Sequence, residues 1–366
     1  MKINVTKPYL CDLEEYVSEI RDIWDNHYLT NFGPKHTELE KKLSLFLNIK
    51  RTSLFINGHY ALESALAYYK FPKGSEVITT PFTFVSTVNA IVRNGLVPVF
   101  CDIKENDYTI DPKEIEKLIT NKTVAILPVH VYGNVCDVEA INRIANKYNL
   151  KVIYDAAHAF GVKYKGVGIA NFGDMSMFSF HATKVYNTIE GGAVCYNDTT
   201  MDDFFHSIRD FGIVGEEDCD YIGGNGKMNE FQACMGLCNL RHIDDIIAQR
   251  KRAVERYIKR LSNVQGINIW KQQDDVVHNY SYFPVVFNGY PVNRDKIKSL
   301  LSEHGIFARK YFYPLVSEFN AYKSFNKGNT PIAKRISERV LTLPLYPDLT
   351  DDEIDKICDL ILSCNH

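Results

Sequence analysis

Two side chains and one turn define the chemistry open to this chain. Lys184 follows the apolar run Met175–Ser179 in Ser179-Phe180-His181-Ala182-Thr183-Lys184. A lysine held behind an apolar strand loses hydration, its pKa falls, and it becomes a nucleophile toward carbonyls. Its plainer reading is a solvated loop lysine. Asp155 ends Val152-Ile153-Tyr154-Asp155, where a carboxylate is costly to bury without a partner. Its plainer reading is a cap on the next turn. Gly58, in Asn57-Gly58-His59-Tyr60-Ala61, lies where a strand passes into a helix, and the free amides of a helix start suit a phosphate. The plainer reading there is a tight turn. Lysine, acid and phosphate cup at three strand ends are together the set that pyridoxal phosphate requires.

Other cofactor signatures fail on residue type. No Gly-x-Gly-x-x-Gly follows the first strand, so the dinucleotide fingerprint is missing there. Gly166-Val167-Gly168 lacks the later glycine, and Gly224-Asn225-Gly226-Lys227 is followed by Met228 where a magnesium-binding Ser or Thr would stand. Cys234 and Cys238 could share a helix face, but no histidine or second cysteine pair has ligand spacing. They read as small buried hydrophobes, and no metal is expected.

The elements that must position these residues alternate. Strand candidates are Thr52–Ile56, Glu76–Thr80, Val97–Asp102, Val124–Val131, Val152–Asp155, Met175–Ser179 and Ala193–Tyr196. Helical patterns lie between them at Ala61–Tyr69, Ser86–Arg93 and Asp137–Tyr148, and Asp111-Pro112 reads as an N-cap with proline in the first turn. Strands apolar on both faces, alternating with helices, predict an α/β fold with a mainly parallel sheet covered on both sides. After Asn225 an apolar stripe from Met228 to Leu261 has helical spacing and predicts one or two long helices. A strand at Tyr282–Phe287 and helices at Arg294–His304 and Asp351–Ser363 then predict a smaller α+β unit. The expected division is a large domain over 1–245 and a small one over 246–366.

Composition bounds the partners. A length of 366 residues suggests about two domains. Forty-two basic against 45 acidic residues leave a net charge of -3, so there is no bulk basic field for nucleic acid. No long apolar run predicts a membrane span, and the start Met1-Lys2-Ile3-Asn4 does not read as a signal peptide. Nine scattered cysteines fit a reduced, cytoplasmic setting.

The runs Asp155-Ala156-Ala157-His158, Ser179 through Lys184 and Glu190-Gly191-Gly192-Ala193 resemble the DegT/DnrJ/EryC1/StrS nucleotide-sugar aminotransferases. So do Leu29-Thr30-Asn31-Phe32-Gly33-Pro34, Thr80 through Thr87, Pro128 through Gly133, Asn225 through Ala233, and Leu343-Pro344-Leu345-Tyr346-Pro347. The resemblance spans essentially the whole chain. It implies a fold-type I, PLP-dependent aminotransferase with a mainly parallel seven-stranded sheet, acting as a homodimer with shared active sites.

The resemblance also implies roles. Lys184 would carry the cofactor as a Schiff base and shuttle the proton, and Asp155 would pair with the pyridinium nitrogen. His158 would approach the ring hydroxyl, where the family often has Gln, and Phe84 would stack on the ring. Ser179 and the amides of Gly58 and His59 would hold the phosphate, joined by Asn225 of the partner subunit. Lys227 would meet substrate phosphate and Tyr313 would line the sugar pocket. Two departures stand out: His59 replaces the usual Thr of the phosphate turn, and Pro314-Leu315-Val316 stands where many members read Pro-Leu-His. Some relatives carry His in place of the lysine and dehydrate sugars, so Lys184 implies transamination. The Ser-Phe-His-x-x-Lys and Glu-Gly-Gly pattern sits with members that act at sugar C4. Within that set the runs Ser179 through Gly192 and Asn225 through Phe231 carry a resemblance that implies L-glutamate as donor, dTDP-4-keto-6-deoxy-D-glucose as acceptor, and a product used in surface glycans such as O-antigen. Two other readings stay open: another nucleotide-linked keto-sugar, UDP-linked or giving the C4 epimer, and a non-catalytic PLP-binding regulator.

Overall fold

The computed structural model describes residues 2–326 and 329–364. Its centre is a seven-stranded sheet of β1 (Arg51–Phe55), β2 (Glu76–Thr79), β3 (Val97–Phe100), β4 (Thr123–Leu127), β5 (Lys151–Asp155), β6 (Met175–Ser179) and β7 (Gly192–Tyr196). The spatial order is β1-β7-β6-β5-β4-β2-β3. The pairs β2/β3, β2/β4, β4/β5 and β5/β6 are parallel, while β7 runs antiparallel to both β1 and β6. This is the mainly parallel α/β sheet expected, with one reversed strand.

The sheet is apolar on both faces because successive strand side chains point to opposite sides. Ile78, Ile126, Val152 and Phe178 enter one hydrophobic cluster. Their neighbours Val77, Ala125, Ile153 and Met177 enter another on the opposite face. Four helices lie ahead of or between the first strands: α1 (Leu13–Asn26), α2 (Pro34–Leu47), α3 (Gly58–Tyr68) and α4 (Val85–Arg93). Asp111 caps the helix Pro112–Leu118 by accepting the Lys113 amide.

The stripe after Asn225 forms two helices, Glu230–Arg241 and Ile243–Leu261, broken at His242. The first starts on a reciprocal cap between Asn229 and Gln232. The second begins with Ile243 and Ile246 in the core beside the large sheet. It ends with Val254, Tyr257 and Leu261 in a separate core. That second core is built around an antiparallel sheet of Ile267–Ile269, Phe283–Phe287 and Val340–Leu343. The helices Arg294–Glu303 and Asp351–Leu362 pack into it. The N-terminal strand Ile3–Asn4 crosses to this unit, pairing in parallel with Ile306–Phe307.

Candidate active site

Ligands of open α/β sheets sit beyond the carboxyl ends of the strands, and a cavity of about 370 Å³ lies there. The ends of β1, β5 and β6 and the start of α4 supply one side of its wall. Tyr282, Tyr311 and Phe312, from the second unit, supply another.

At the β1 end, Asn57 caps α3 by accepting the Tyr60 amide at 2.8 Å. The amides of Gly58 and His59 then occupy the first helical positions, which have no backbone acceptor within the helix. Glycine is required at 58. A Cβ there would lie 2.8 Å from Ser179 Cβ and 3.2 Å from Met177 Sδ. The missing side chain lets the helix start settle against the end of β6, bringing those amides beside Ser179, which lines the same cavity. The His59 ring turns aside: Nδ1 lies 2.9 Å from Ser86 Oγ and Nε2 lies 3.7 Å from Glu63. The departure at 59 thus alters a side-chain contact and leaves the backbone amides in place.

Asp155 is buried. Its Oδ1 accepts the Ala157 amide at 3.1 Å, and its Oδ2 accepts the Thr87 hydroxyl at 2.8 Å. Burial pushes its pKa up, while the amide, the hydroxyl and the Lys184 charge pull it back. Lys184 lines the same cavity. Desolvation lowers its ammonium to about 8, against upward pulls from Asp155 and Tyr311. A side chain part-open to the cavity yet ringed by protein atoms has the lowered pKa anticipated from its place behind an apolar strand.

His158 is held neutral. Burial, with the Lys184 charge second, drives its pKa well below the ordinary range. Its Nδ1 accepts the Tyr132 amide at 3.1 Å, which places the proton on Nε2. The ring is fixed edge-on to Tyr282 at 4.9 Å and lies parallel to Phe312 at 6.0 Å. Phe84, the residue before α4, also lines the cavity and is 58% exposed, a large aromatic face open to it.

The structure thus brings together Lys184, Asp155, Gly58, His59, Phe84, His158 and Ser179. Three expected residues lie elsewhere. Asn225 is exposed on a loop bridged to Asp210. Lys227 is buried, paired through Nζ with Asp210, and lies over the Phe211 ring. Tyr313 turns out of the cavity, because Arg294 and Lys310 stack on its ring at 4.8 and 5.4 Å. Its neighbours Tyr311 and Phe312 form the wall instead. Sequence reasoning does not single out Thr87, Tyr311, Tyr282 or the mouth pair His181 and Glu190. The spacing of Thr83 and Thr87, one helical turn apart, is the available signal for the first.

A lysine of depressed pKa, a buried carboxylate, a neutral imidazole donor, an open aromatic face and a helix start with free amides fit PLP group by group. These features define a PLP-dependent aminotransferase of the fold-type I architecture. The model of the DegT/DnrJ/EryC1/StrS aminotransferase family matches residues 11–362, and the chain belongs to that family. It is 44% identical over 361 residues to the dTDP-4-amino-4,6-dideoxy-D-glucose transaminase of Shigella dysenteriae, covering 98% of each chain. Among solved structures it resembles DesI, crystallised with its TDP-sugar product, at a TM-score of 0.94 and 28% identity, covering 100% of this chain and 93% of that one. It likewise resembles the PLP form of a Streptococcus pneumoniae sugar aminotransferase, at a TM-score of 0.93 and 26% identity, covering 100% and 99%.

Proposed function

We propose that the protein transfers the amino group of L-glutamate to C4 of dTDP-4-keto-6-deoxy-D-glucose, giving dTDP-4-amino-4,6-dideoxy-D-glucose. The observation that carries the reaction type is the single cavity that joins Lys184 to Asp155 and His158. The 44% identity to the Shigella dysenteriae enzyme supports the substrate.

PLP, when bound, supplies an aldehyde that accepts and returns the amino group and a ring that takes up an electron pair. The chain supplies the rest. Lys184 Nζ anchors the cofactor, takes the proton from the donor's α-carbon, and later delivers one to C4 of the sugar. A base with a pKa near 8 suits both transfers, being able to gain and lose a proton near neutral pH. Asp155, acceptor-only when ionised, would pair with the pyridine nitrogen and keep it protonated. His158 Nε2–H would donate to the ring oxygen, and Phe84 would stack on the ring. Ser179 and the amides of Gly58 and His59 hold the phosphate. Because one lysine serves both halves, 2-oxoglutarate leaves before the sugar reacts, a ping-pong order.

We place Asn225 and Lys227 in the neighbouring active site of a homodimer. Supporting this, the loop before them exposes Phe211, Ile213, Val214 and Ile222, an apolar set costly to leave in water. Among the described residues no helix is long and apolar enough to cross a membrane. A cytoplasmic enzyme supplying an amino sugar for O-antigen or another surface glycan fits this reading.

The test is stepwise. The protein with PLP is given L-glutamate, and 2-oxoglutarate release and the cofactor spectrum are followed. The keto-sugar is then added, and the C4 configuration of the product is read by NMR. An equatorial C4 amine supports the full reading. Release of 2-oxoglutarate without sugar turnover overturns the substrate alone, and no response to glutamate overturns the reaction.

A further inference from the structure

The carboxylate of Asp155 sits in a hydrogen-bonded chain that the reaction as described does not use. Its Oδ2 accepts from Thr87 Oγ1 at 2.8 Å, and Thr87 Oγ1 lies 2.8 Å from Thr83 Oγ1. Thr87 is fully buried and Thr83 nearly so. An ionised carboxylate can only accept, so the single hydroxyl proton of Thr87 points at Asp155. The second contact must therefore run from Thr83 to Thr87, and the chain has one direction, Thr83 to Thr87 to Asp155. Oδ1 is held separately by the Ala157 amide. With one oxygen pinned from each side, the carboxyl group cannot rotate, and its remaining lone pairs face the cavity.

The two threonines flank Phe84, whose ring opens onto the cavity, and they sit at the start of α4. One turn of chain thus sets both the ring that would cover the cofactor and the acid that would face its nitrogen. The charged group acting on Asp155 is Lys184. His158, which lines the same cavity, is neutral, and the one charge of α4, Arg93, lies in its last turn.

We propose that Thr87 is a positioning residue for the cofactor's acid: its hydroxyl, polarised by Thr83, holds Asp155 ionised and oriented so that it can accept from the pyridinium nitrogen. This rests on the reading of Asp155 as the pyridinium partner. Burial works against an ionised Asp155, and the Thr87 hydroxyl is one of the few groups opposing it. Removing a hydrogen bond to a charged group typically changes an equilibrium about tenfold or more. A tenfold change in an ionisation constant moves a titration by about one pH unit. Loss of the hydroxyl therefore moves the Asp155 titration up by about that much. A carboxylate is ionised above its pKa, so the pH below which the cofactor is held poorly moves up with it.

The experiment measures PLP affinity of the full-length apoprotein by absorbance titration across pH. It compares wild type, Thr87→Val, Thr87→Ser and Asp155→Asn. Valine keeps the shape and removes the hydroxyl, while serine keeps the hydroxyl. The expected result is about tenfold weaker binding for Thr87→Val near neutral pH. Its acid limb should move up by about one pH unit, and Thr87→Ser should restore both. A Thr87→Val profile that superimposes on wild type, or a Thr87→Ser profile as displaced as that of valine, overturns the proposal. Asp155→Asn separates the two levels. If it binds PLP as tightly as wild type, the reading of Asp155 fails. If it binds weakly while Thr87→Val is unchanged, only the role of Thr87 fails.

Discussion

Gly58 and Ser179 meet without room for a methyl group between them, since a Cβ on residue 58 would stand 2.8 Å from Ser179 Cβ. The Cα of Gly58 is also what a side chain on Gly192 would strike, at 2.5 Å. The start of α3 is thus wedged against β6 and β7, and the amides it presents are set by the sheet rather than by a loop.

Gly58→Ala should therefore cost both stability and cofactor. Overpacking of this kind costs about 1–3 kcal/mol, and the helix start must retreat from Ser179. Denaturant unfolding should show the loss, and PLP titration should show affinity reduced about tenfold or more. An alanine variant that binds PLP like wild type would mean that the cup lies elsewhere.

Lys184→Met should abolish transamination while stabilising the apoprotein. The folded-state ammonium is lowered from 10.5 to about 8, so the folded form disfavours the charge. The penalty is fully present below about pH 8 and fades as the pH rises from there to 10.5, where both states become neutral. Thermal melts of the two apoproteins should differ most near neutral pH and converge in alkali. Turnover near the wild-type rate would remove Lys184 from the mechanism.

His158 should not titrate in the physiological range. Its neutral Nε2–H form follows from burial and from the Tyr132 amide on Nδ1. Nitrogen-15 NMR of histidine-labelled apoprotein should show that tautomer unchanged between about pH 5 and 8, the range in which ordinary imidazoles change charge. A signal from His158 that titrates with an ordinary midpoint would contradict the donor role.

Lys227→Met should separate the two substrates kinetically. If the partner's Lys227 meets sugar phosphate, KM for the nucleotide-sugar should rise about tenfold, the typical effect of losing a charge-assisted contact. Release of 2-oxoglutarate from glutamate should continue unaltered. Equal damage to both halves would instead reflect the lost pair with Asp210 and a disturbed loop.

Much of this site can be read from strand ends. Asp155, Ser179 and Gly58 are each placed within a residue or two of where an apolar run stops, and the fold puts all such ends on one edge. Lys184 follows by five residues. The rest depends on distances that sequence spacing does not encode. Tyr282, Tyr311 and Phe312 come from the second unit, well over a hundred residues from Asp155, and nothing local marks them as facing it. Tyr313 is the natural candidate in its run, but its ring is drawn outward by Arg294 and Lys310. The direction of β7 is equally hidden, because a strand buried on both faces looks the same either way round. In α1 only Ile23 is buried, while Leu13 and Trp24 face outward.

The strand Ile3–Asn4 forms a two-stranded parallel sheet with Ile306–Phe307, and the Leu345 amide donates to Val5 oxygen at 3.0 Å. The chain's first residues are thereby packed into the core of its last third. During synthesis these first residues emerge early but have nothing to pair with until the chain is almost finished. A fragment beginning near residue 246 would lack Ile3, buried in its core. The second unit is thus a poor candidate for independent expression, and trimming a few residues from the start of the chain should be felt at the far end of the molecule.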